Sequence, residues 1–452
     1  MTSTPQKPRS GRRPAVNRTE MQPKPYVSSF EAQLEAGALR ETYEEKTAAG
    51  AEAAPVQTSD ELERRHAERK KNRKLRKKQR LVPKGIKTGG VDIPFVLLLL
   101  AVAIVGLIML FSASYTAAYY KYNDAYHFIS RQAGFTAVGL VVMWGVSKFP
   151  YQWLHKLSFW GIAFAELLLV LVLFVGTNNN TEAKRWLVIG PINFQPSEIA
   201  KAAIILLFSS LAVRMRNTIK KPSSMLGFLG VLGLTALLLL RQPHLSATII
   251  IIVSGMIVLF LGGANIAHLA GIAGVGIMGI YILVFKFGYQ YDRIESWLDP
   301  WSKPLGDGFQ LLQSLYAVGS GGLWGRGLGQ SIQKQMYLPE PYNDFIFSIV
   351  CEELGFIGAA LIIVLFAALY IRGYYIALKA RDTFGTLLCA GLITQLALQT
   401  FLNIGVVIGL LPVTGASLPF FSSGGSSLLV LYAEMGVVLA VSRQMTGNEK
   451  SK

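Results

Sequence analysis

Long apolar runs alternate with shorter polar segments along the chain from about residue 93 onward. About ten of these runs are long enough, as helices, to cross roughly 30 Å of hydrocarbon, although Gly and Pro shorten or interrupt some of them. They cover residues 93–114, 133–148, 157–175, 197–213, 225–240, 247–261, 266–287, 345–371, 385–410 and 426–441. The pattern predicts an all-α polytopic membrane protein with about ten transmembrane helices.

Basic residues are concentrated in alternate polar segments. They occur in the N-terminal tail and in segments 148–156, 214–221, 372–381 and 443–452. Because cytoplasmic loops carry an excess of Lys and Arg, this distribution predicts that both termini are cytoplasmic. The outward segments are then 177–198, 241–248, 411–427 and a large loop at about 288–344 between helices 7 and 8.

The outward segments are rich in Gln, Pro, Ser and Gly and carry isolated charges. Non-helical backbone at membrane depth is tolerated only where protein or water covers it. The four segments are therefore predicted to enclose one shared polar cavity, which is where a functional site is expected.

Composition supports a membrane protein and excludes an ordinary soluble enzyme. The chain is 52% hydrophobic and only 16% charged, with a mean hydropathy of +0.39. Its two cysteines, Cys351 and Cys389, both lie in apolar runs and provide neither a disulfide framework nor metal-ligand spacing. They are interpreted as core residues.

The first 90 residues form a different kind of segment, rich in Pro, Ser, Ala, Glu and Lys and poor in aliphatic residues. The segment is predicted to be a disordered cytoplasmic tail, with about +10 of the total +17 charge. Its most basic stretch, at residues 63–80, directly precedes the first apolar run. This position favours a topology signal that touches anionic lipid over a nucleic-acid site. A second short cytoplasmic tail is predicted at 446–452.

A Gly-rich run, GSGGLWGRGLGQS at residues 319–331, resembles a phosphate-binding loop in composition. However, no strand precedes it and it lacks the Lys-Ser ending of such loops, so a nucleotide site is not expected. Two interpretations stay open. The glycines either permit close packing of helices or allow backbone to approach a bulky polar substrate.

A lone carboxylate, Asp344, stands in LPEPYNDFIF (residues 338–347), where the eighth apolar run begins. An acid at this boundary is a candidate catalytic group, because a charge is costly at membrane depth. The alternative is a helix N-cap, since Ser348 and Glu352 follow at helical spacing.

Three motifs carry a family resemblance. They are the stretch RIESWLDPWSKPLGDGFQLLQSLYAVGSGGLWGRGLGQSIQKQMYLPEPYNDFIFSIVCEELGFIGA (293–359), AKRWLVIGPINFQPSEIAK (183–201) and LPVTGASLPFFSSGGSSLL (411–429). Together they resemble the FtsW/RodA/SpoVE family of SEDS peptidoglycan polymerases, in the expected order and spacing. The resemblance covers about residues 91–445 and is nearest to the FtsW/SpoVE branch.

The resemblance implies an inverting lipid II glycosyltransferase, with Asp344 as general base. The donor is a glycan on a polyprenyl diphosphate, and the acceptor is the GlcNAc 4-hydroxyl of a second lipid II. Positive charge is needed to stabilise the departing diphosphate. No cofactor is assigned, and a divalent cation such as Mg²⁺ or Mn²⁺ stays open, with no metal ligand identified.

The remaining candidate site residues come from the same motifs. Arg185 and Lys201 are candidate diphosphate ligands, although Glu198 can instead pair with Lys201 at helical spacing. Glu340 is a candidate for positioning the base or a cation. Other substrate-binding candidates are Gln195, Ser197, Arg326, Lys334, Ser422 and Ser423, and Glu352 and Glu353 are supporting residues.

Two positions depart from the family motif. His244 stands where relatives usually have Asp after Gln-Pro, which replaces an acid with a group that can be neutral at pH 7. Tyr342 and Asn343 stand where His-Thr is common, so the pKa of Asp344 must be set by burial or by other neighbours.

A lipid II flippase is the main alternative function, because many-span proteins with broken helices often carry substrates. A division scaffold and a RodA-like elongation polymerase are further alternatives. The resemblance also implies a class B penicillin-binding protein as transpeptidase partner, divisome regulators, and a multi-pass location in the bacterial plasma membrane at the division septum.

Overall fold

The computed structural model describes residues 89–177, 185–189 and 192–445. Nearly all of the predicted basic tail and the whole 446–452 tail therefore lie outside the described residues. The described chain is built mainly of helices, with one small hairpin of two strands. The helices are α1 (Ile93–Tyr122), α2 (His127–Ser147), α3 (Gln152–Val175), α4 (Pro196–Arg214), α5 (Pro222–Arg241), α6 (Leu245–Leu261), α7 (Ile266–Phe285), α8 (Tyr291–Leu298), α9 (Phe309–Gly321), α10 (Ile346–Leu378), α11 (Thr383–Val407) and α12 (Gly425–Ser442).

Each of the ten predicted spans corresponds to one long helix among the described residues. Nine of these helices are long and apolar enough to cross a membrane. The remaining one, α6, is apolar but has 17 residues, which gives about 26 Å of helix. The fold prediction is confirmed, with this one span shorter than the others.

The outer surface of the bundle is apolar. Exposed apolar side chains occur on helix after helix, for example Leu97 of α1, Phe174 of α3, Leu226 of α5 and Val275 of α7, which are 61%, 78%, 70% and 75% exposed. Apolar side chains exposed over so many helices are unfavourable in water and suit a lipid environment. The bundle is therefore embedded in a membrane through the sides of its helices.

Three helices form the centre of the bundle. At least two thirds of the apolar windows of α4, α11 and α12 are buried, compared with 11% of that of α7. These central helices carry buried amides, including Gln395, Gln399 and Asn403 of α11. Both cysteines are buried and free, as the sequence predicts.

Two of the outward segments have structure that the sequence analysis did not anticipate. Segment 177–198 contains an antiparallel hairpin of β1 (Leu187–Ile189) and β2 (Ile192–Phe194), in which Leu187 pairs with Phe194. The long loop between α7 and α10 contains α8 and α9. The α8 helix is anchored to the 409–413 region, because Trp297 Nε1 donates to the Gly409 carbonyl (2.8 Å) and Arg293 to the Val413 carbonyl (3.1 Å).

At the end of the bundle where α1 begins and α10 ends, an ion pair joins these two helices. The guanidinium of Arg372 donates to both carboxylate oxygens of Asp92, at 2.8 and 2.9 Å. Asp92 also caps α1 by accepting from the Phe95 N–H at 3.0 Å. One side chain thus starts α1 and fixes it to α10.

The Gly-rich run packs against an interruption in α10. Gly355 has φ 67° and ψ −170°, which breaks the helical ladder. The freed groups bond to the run: Phe356 N–H donates to the Gly322 carbonyl (2.9 Å), and Gly327 N–H donates to the Glu353 carbonyl (3.0 Å). A Cβ on Gly325 would lie 2.2 Å from the Glu353 carbonyl oxygen. Of the two interpretations of this run, the structure supports close packing of backbone.

We expect Gly355→Ala to destabilise the protein by on the order of 2–4 kcal/mol, because the new Cβ would adopt a left-handed φ and lie 2.2 Å from the Gly325 nitrogen. The matched control is Gly271→Ala in α7, where a Cβ meets no atom within 4 Å. Thermal unfolding in detergent measures both variants. Equal melting temperatures for the two variants would contradict the packing described for Gly355.

Candidate active site in a cavity between four loops

A cavity of about 630 Å³ opens at the end of the bundle opposite the Asp92–Arg372 pair. All four segments predicted to face outward contribute to it, so the prediction of one shared polar cavity is confirmed. The α1–α2 hairpin supplies a further wall. Representative lining residues are Arg185 and Gln195, His244, Glu340 and Asp344, Gly415 and Ser423, and Lys121 and Arg131.

Asp344 lies at the cavity wall, partly buried, on a short segment whose backbone is held from several sides. The Asn403 amide donates to the carbonyls of both Asp344 and Ala416, at 2.7 Å each. Ser422 Oγ donates to the Asn343 carbonyl at 2.7 Å, and Ser423 N–H to that of Tyr342 at 2.9 Å. Loop 411–424 and α11 therefore fix the position of the aspartate backbone.

The carboxylate of Asp344 is not a helix cap. The N-cap of α10 is Phe345, and no side chain makes a capping hydrogen bond there. Among the described residues, none donates a hydrogen bond to the carboxylate oxygens. Instead, Oδ2 lies over Gly415, where a Cβ would be only 3.2 Å away. The N-cap alternative is wrong, because the side chain turns toward the cavity and away from the α10 amides.

Burial raises the pKa of Asp344 to about 6, against the opposing positive charges of Arg185 and Arg293. The negative charge of Glu340 adds to the upward shift. Burial and these charged neighbours thus set the pKa of Asp344, since the family's usual histidine is replaced by Tyr342 in this chain. At neutral pH the Asp344 carboxylate is therefore mostly ionised. Because its pKa lies close to the working pH, it can accept a proton at little cost in free energy.

Four basic side chains line the described part of the cavity, and two of them have carboxylate partners. Lys201 pairs with Glu198 at 2.8 Å and donates to Gln399 at 2.6 Å. Lys121 lies 3.6 Å from Glu340 and donates to the Tyr342 hydroxyl at 3.3 Å. The other two, Arg131 and Arg185, have no carboxylate partner within ion-pair distance among the described residues. They leave positive charge available to an anion.

Arg185 is held in place by backbone. Its guanidinium donates to the Gln242 carbonyl at 3.2 Å and to the Pro243 carbonyl. Two carbonyls orient the group but do not neutralise it, so its charge still acts on the cavity. The segment before α6 therefore positions the arginine that the sequence analysis selected.

Six predicted site residues line the cavity: Asp344, Arg185, Lys201, Gln195, Glu340 and Ser423. Ser197, Ser422, Arg326 and Lys334 do not. Ser197 is buried in α4, whereas Ser422 accepts from the Leu418 N–H at 2.7 Å and so shapes its own loop. Arg326 is exposed on the Gly-rich run, whose backbone is bonded to α10.

The structure places Lys334 away from the cavity, in a buried ion pair. Its Nζ lies 2.7 Å from Glu353 Oε1 and 3.0 Å from Ser112 Oγ. Glu352 accepts from the backbone N–H groups of Ile332 (3.0 Å) and Gln333 (3.2 Å). The sequence assignment of Lys334 to diphosphate binding is therefore replaced by a supporting role shared with the two glutamates, which hold the Gly-rich segment.

Sequence reasoning missed the α1–α2 hairpin and the α11 amides. Lys121 and Arg131 line the cavity although they stand on the predicted outward side, against the usual preference of basic residues for the cytoplasm. Two basic residues on the outward side were therefore the signal in the sequence that could have identified this wall of the cavity. No comparable signal marked Gln399 and Asn403, because a single amide within an apolar run does not reveal its partner.

The described cavity residues do not assemble a metal-ligand cluster. The described residues contain no group of three or more His, Cys, Asp or Glu side chains placed to hold a metal ion. Glu198 and Glu340 both face lysines. This described part of the cavity wall therefore does not fit a protein-bound metal centre.

Replacement of Asp344 by Asn is expected to stabilise the protein at pH 7.5. The folded pKa of about 6 lies above the value of about 3.9 for an unfolded Asp, so folding becomes less favourable as pH rises between those values. The stabilisation should be on the order of 1–3 kcal/mol at pH 7.5 and should disappear near pH 4. Melting temperatures of both proteins across this pH range test it. A variant less stable than the wild type at pH 7.5 would contradict it.

Comparison with known proteins agrees with this architecture. The family model FTSW_RODA_SPOVE, described as "Cell cycle protein", matches residues 93–447. Stage V sporulation protein E of Bacillus subtilis (strain 168) is 42% identical over 354 residues, which is 78% of this chain and 97% of that protein. "Probable peptidoglycan glycosyltransferase FtsW" of Geobacter sp. (strain M18) is 36% identical over 364 residues, with 79% and 98% covered.

Solved structures give the same result. A chain from the structure described as "Structural coordination of polymerization and crosslinking by a peptidoglycan synthase complex" superposes with a TM-score of 0.66 at 27% identity, covering 78% of this chain and 98% of that one. The rod shape determining protein RodA of Thermus thermophilus gives 0.60 at 28% identity, with 78% and 97% covered. The chain belongs to the FtsW/RodA/SpoVE family.

Proposed function

We propose that this protein is a peptidoglycan glycosyltransferase that polymerises lipid II, with Asp344 as its general base. The relatives named as FtsW glycosyltransferases and the similar chain from a peptidoglycan synthase complex support the reaction class. The observation that carries the residue assignment is the Asp344 carboxylate, which faces a large polar cavity without a hydrogen-bond partner among the described residues.

The reaction is a single displacement at the anomeric carbon of the donor sugar. The acceptor hydroxyl oxygen forms a bond to that carbon while the carbon–oxygen bond to the diphosphate breaks, and the diphosphate leaves with the electron pair. Asp344 accepts the hydroxyl proton. Attack opposite the leaving group inverts the configuration, and a base placed in this way contributes about 10²- to 10⁴-fold in rate.

The departing diphosphate needs positive charge, which Arg131 and Arg185 supply. Both line the cavity and neither is neutralised by a carboxylate among the described residues. Arginine forms charge-assisted, bidentate hydrogen bonds with phosphate oxygens. A group that is already in position needs little reorganisation energy during the reaction. Lys201 contributes less, because Glu198 and Gln399 occupy its ammonium group.

Amide side chains give the cavity a surface suited to an amidated, hydroxylated sugar. Gln132, Asn193, Gln195, Gln310 and Gln399 all line it. An amide both donates and accepts hydrogen bonds, as do hydroxyl and N-acetyl groups. The wall thus complements lipid II in chemistry as well as in charge.

The membrane orientation follows from the loop charges. With both termini cytoplasmic, the cavity opens on the outer face, where glycan strands are made. The relatives named FtsW support a role in septal wall synthesis at the division site. A class B penicillin-binding protein is the expected transpeptidase partner, together with divisome regulators, and no nucleic-acid partner is expected.

Asp344→Asn should lower glycan polymerisation from purified lipid II by at least about 100-fold, because the amide cannot accept the hydroxyl proton. The assay uses the full-length chain with its cognate transpeptidase and measures polymer length and amount. Asp299→Asn is the matched control, since Asp299 is an exposed acid of the same long loop outside the cavity. The control should retain wild-type activity.

The same assay separates the alternatives. Equal polymer from wild type and Asp344→Asn would remove the base assignment and direct the search to Glu340, the other acid at this wall without a buried partner. The protein is a flippase if neither protein makes polymer and if lipid II accumulates on the cytoplasmic side of the membrane in vesicles that contain Asp344→Asn.

The polymerisation rate of the wild type should rise with pH through about 6 and then level off, because Asp344 acts in its ionised form. Glu340→Gln should move this rise to lower pH, since the Glu340 charge raises the pKa of Asp344. Rates at subsaturating lipid II from pH 5 to 8 measure both effects. A rise at the same pH in both proteins would contradict the electrostatic coupling.

A further inference from the structure

His244 is a cavity residue that the proposed reaction leaves without a role. It stands directly before α6 and is 6% exposed, yet it lines the same cavity as Asp344. Its Nδ1 has no hydrogen-bond partner among the described residues. A buried polar group without a partner is uncommon and calls for a physical explanation.

The other ring nitrogen is only loosely engaged. Nε2 lies 3.5 Å from the Gln195 amide nitrogen, at the limit of a hydrogen bond. An amide nitrogen can only donate, so with the amide in this orientation Nε2 is the acceptor and Nδ1 carries the proton of the neutral ring. Nε2 is therefore the nitrogen that can gain a proton, and it lies beside a cavity-lining side chain.

Three positive charges act on His244. Arg185 is bonded to the carbonyls of Gln242 and Pro243, immediately before His244, while Lys201 approaches from α4 and Arg293 from α8. Burial and these three cations hold the pKa of His244 well below its usual range. Of the acids that line the same cavity, Glu198 is paired with Lys201, and the charge of Asp344 acts on Arg185. Burial and the cations therefore favour the neutral ring while the cavity holds no anion.

An entering diphosphate reverses this balance. It brings at least two negative charges to a wall that contains Arg185 and His244, and a nearby anion favours the protonated imidazole. A ligand that binds the protonated form of the protein more tightly must cause proton uptake on binding. The protonated ring has two N–H donors, so Nε2 can donate to a phosphate oxygen.

We propose that His244 takes up a proton when a diphosphate-linked substrate enters the cavity and donates a hydrogen bond to the diphosphate as it leaves. The proton returns to solvent when the diphosphate dissociates, so it is not consumed over a cycle. This inference depends on the proposed function, because it assumes that the donor binds in this cavity.

His244→Gln keeps a hydrogen-bonding side chain but cannot gain a charge. The variant should fold, since the start of α6 depends on the backbone of residue 244, whose carbonyl accepts from the Thr248 N–H at 3.2 Å, and no side chain caps this helix. His244→Asn is a second variant with the same property. His268→Gln in α7 is the matched control, because that histidine does not line the cavity.

The experiment is calorimetric titration of the full-length protein in detergent with farnesyl diphosphate, in PIPES, HEPES and Tris buffers at pH 7. The buffers differ in ionisation enthalpy, so the heats report proton uptake. Wild type and His268→Gln should take up about one proton more per ligand than His244→Gln. Wild-type affinity should also weaken with rising pH between 6 and 8, by up to about tenfold per pH unit, with a flatter profile in the variant.

Equal proton uptake by wild type and His244→Gln, with both folded, would overturn the inference. Lipid II polymerisation by the same wild-type preparation distinguishes the failures. Polymer formation together with equal uptake rejects the role of His244 alone, whereas no polymer and no binding of farnesyl diphosphate rejects the proposed function as well.

Discussion

The geometry of the cavity depends on one buried side chain, Asn403. Its amide donates one hydrogen bond to the carbonyl of Asp344 and another to that of Ala416, each at 2.7 Å. The first bond fixes the residue from which α10 departs, and the second fixes the loop whose Gly415 lies against the Asp344 carboxylate. Since Asn403 is 1% exposed on a central helix, the rigid interior of the bundle sets the distance between the carboxylate and its wall.

Some charged groups of the cavity are paired with an opposite charge and others are not. The unpaired groups are the ones that can take part in chemistry. The two lysines face glutamates, so their charges largely cancel within the wall. Asp344, Arg131 and Arg185 lack such partners among the described residues. An uncompensated carboxylate in a buried position costs stability, which proteins accept where the group must exchange a proton or meet a charged ligand. The opposite charges of base and arginines lie in one cavity, as a reaction with a nucleophile and an anionic leaving group requires.

The sequence predicted the parts of the structure that depend on hydrophobic runs and on short motifs. Span number, the shared cavity and the position of Asp344 at its wall all follow from local patterns. It did not predict the β1–β2 hairpin, the α8 and α9 helices, or the partners of Lys334. The hairpin and the two helices are local, but strands of three residues and a helix of eight are too short to give a clear periodic signal. The partners of Lys334 depend instead on contacts between residues far apart in the chain, such as Lys334 with Ser112, which one sequence does not encode in any local signal. The amides of α11 were missed for the same reason.

The Gly-rich run shows that composition alone does not determine a function. Glycine permits backbone to approach either a phosphate or another backbone, and the sequence cannot distinguish the two. Here a Cβ on Gly321 would lie 2.0 Å from the Cys351 carbonyl oxygen, and one on Gly325 would lie 2.2 Å from the Glu353 carbonyl oxygen, so these two glycines are required by the packing of the run against α10. Glu352 and Glu353 complete this attachment through the 331–334 segment. The first turns of α10 are thereby fixed at both ends, by Asn403 beside Asp344 and by the Gly-rich run beside Gly355. The Gly-rich run, although it resembles a phosphate-binding loop, thus helps to position the Asp344 carboxylate indirectly. It does so by holding α10, the helix that begins next to Asp344, in place.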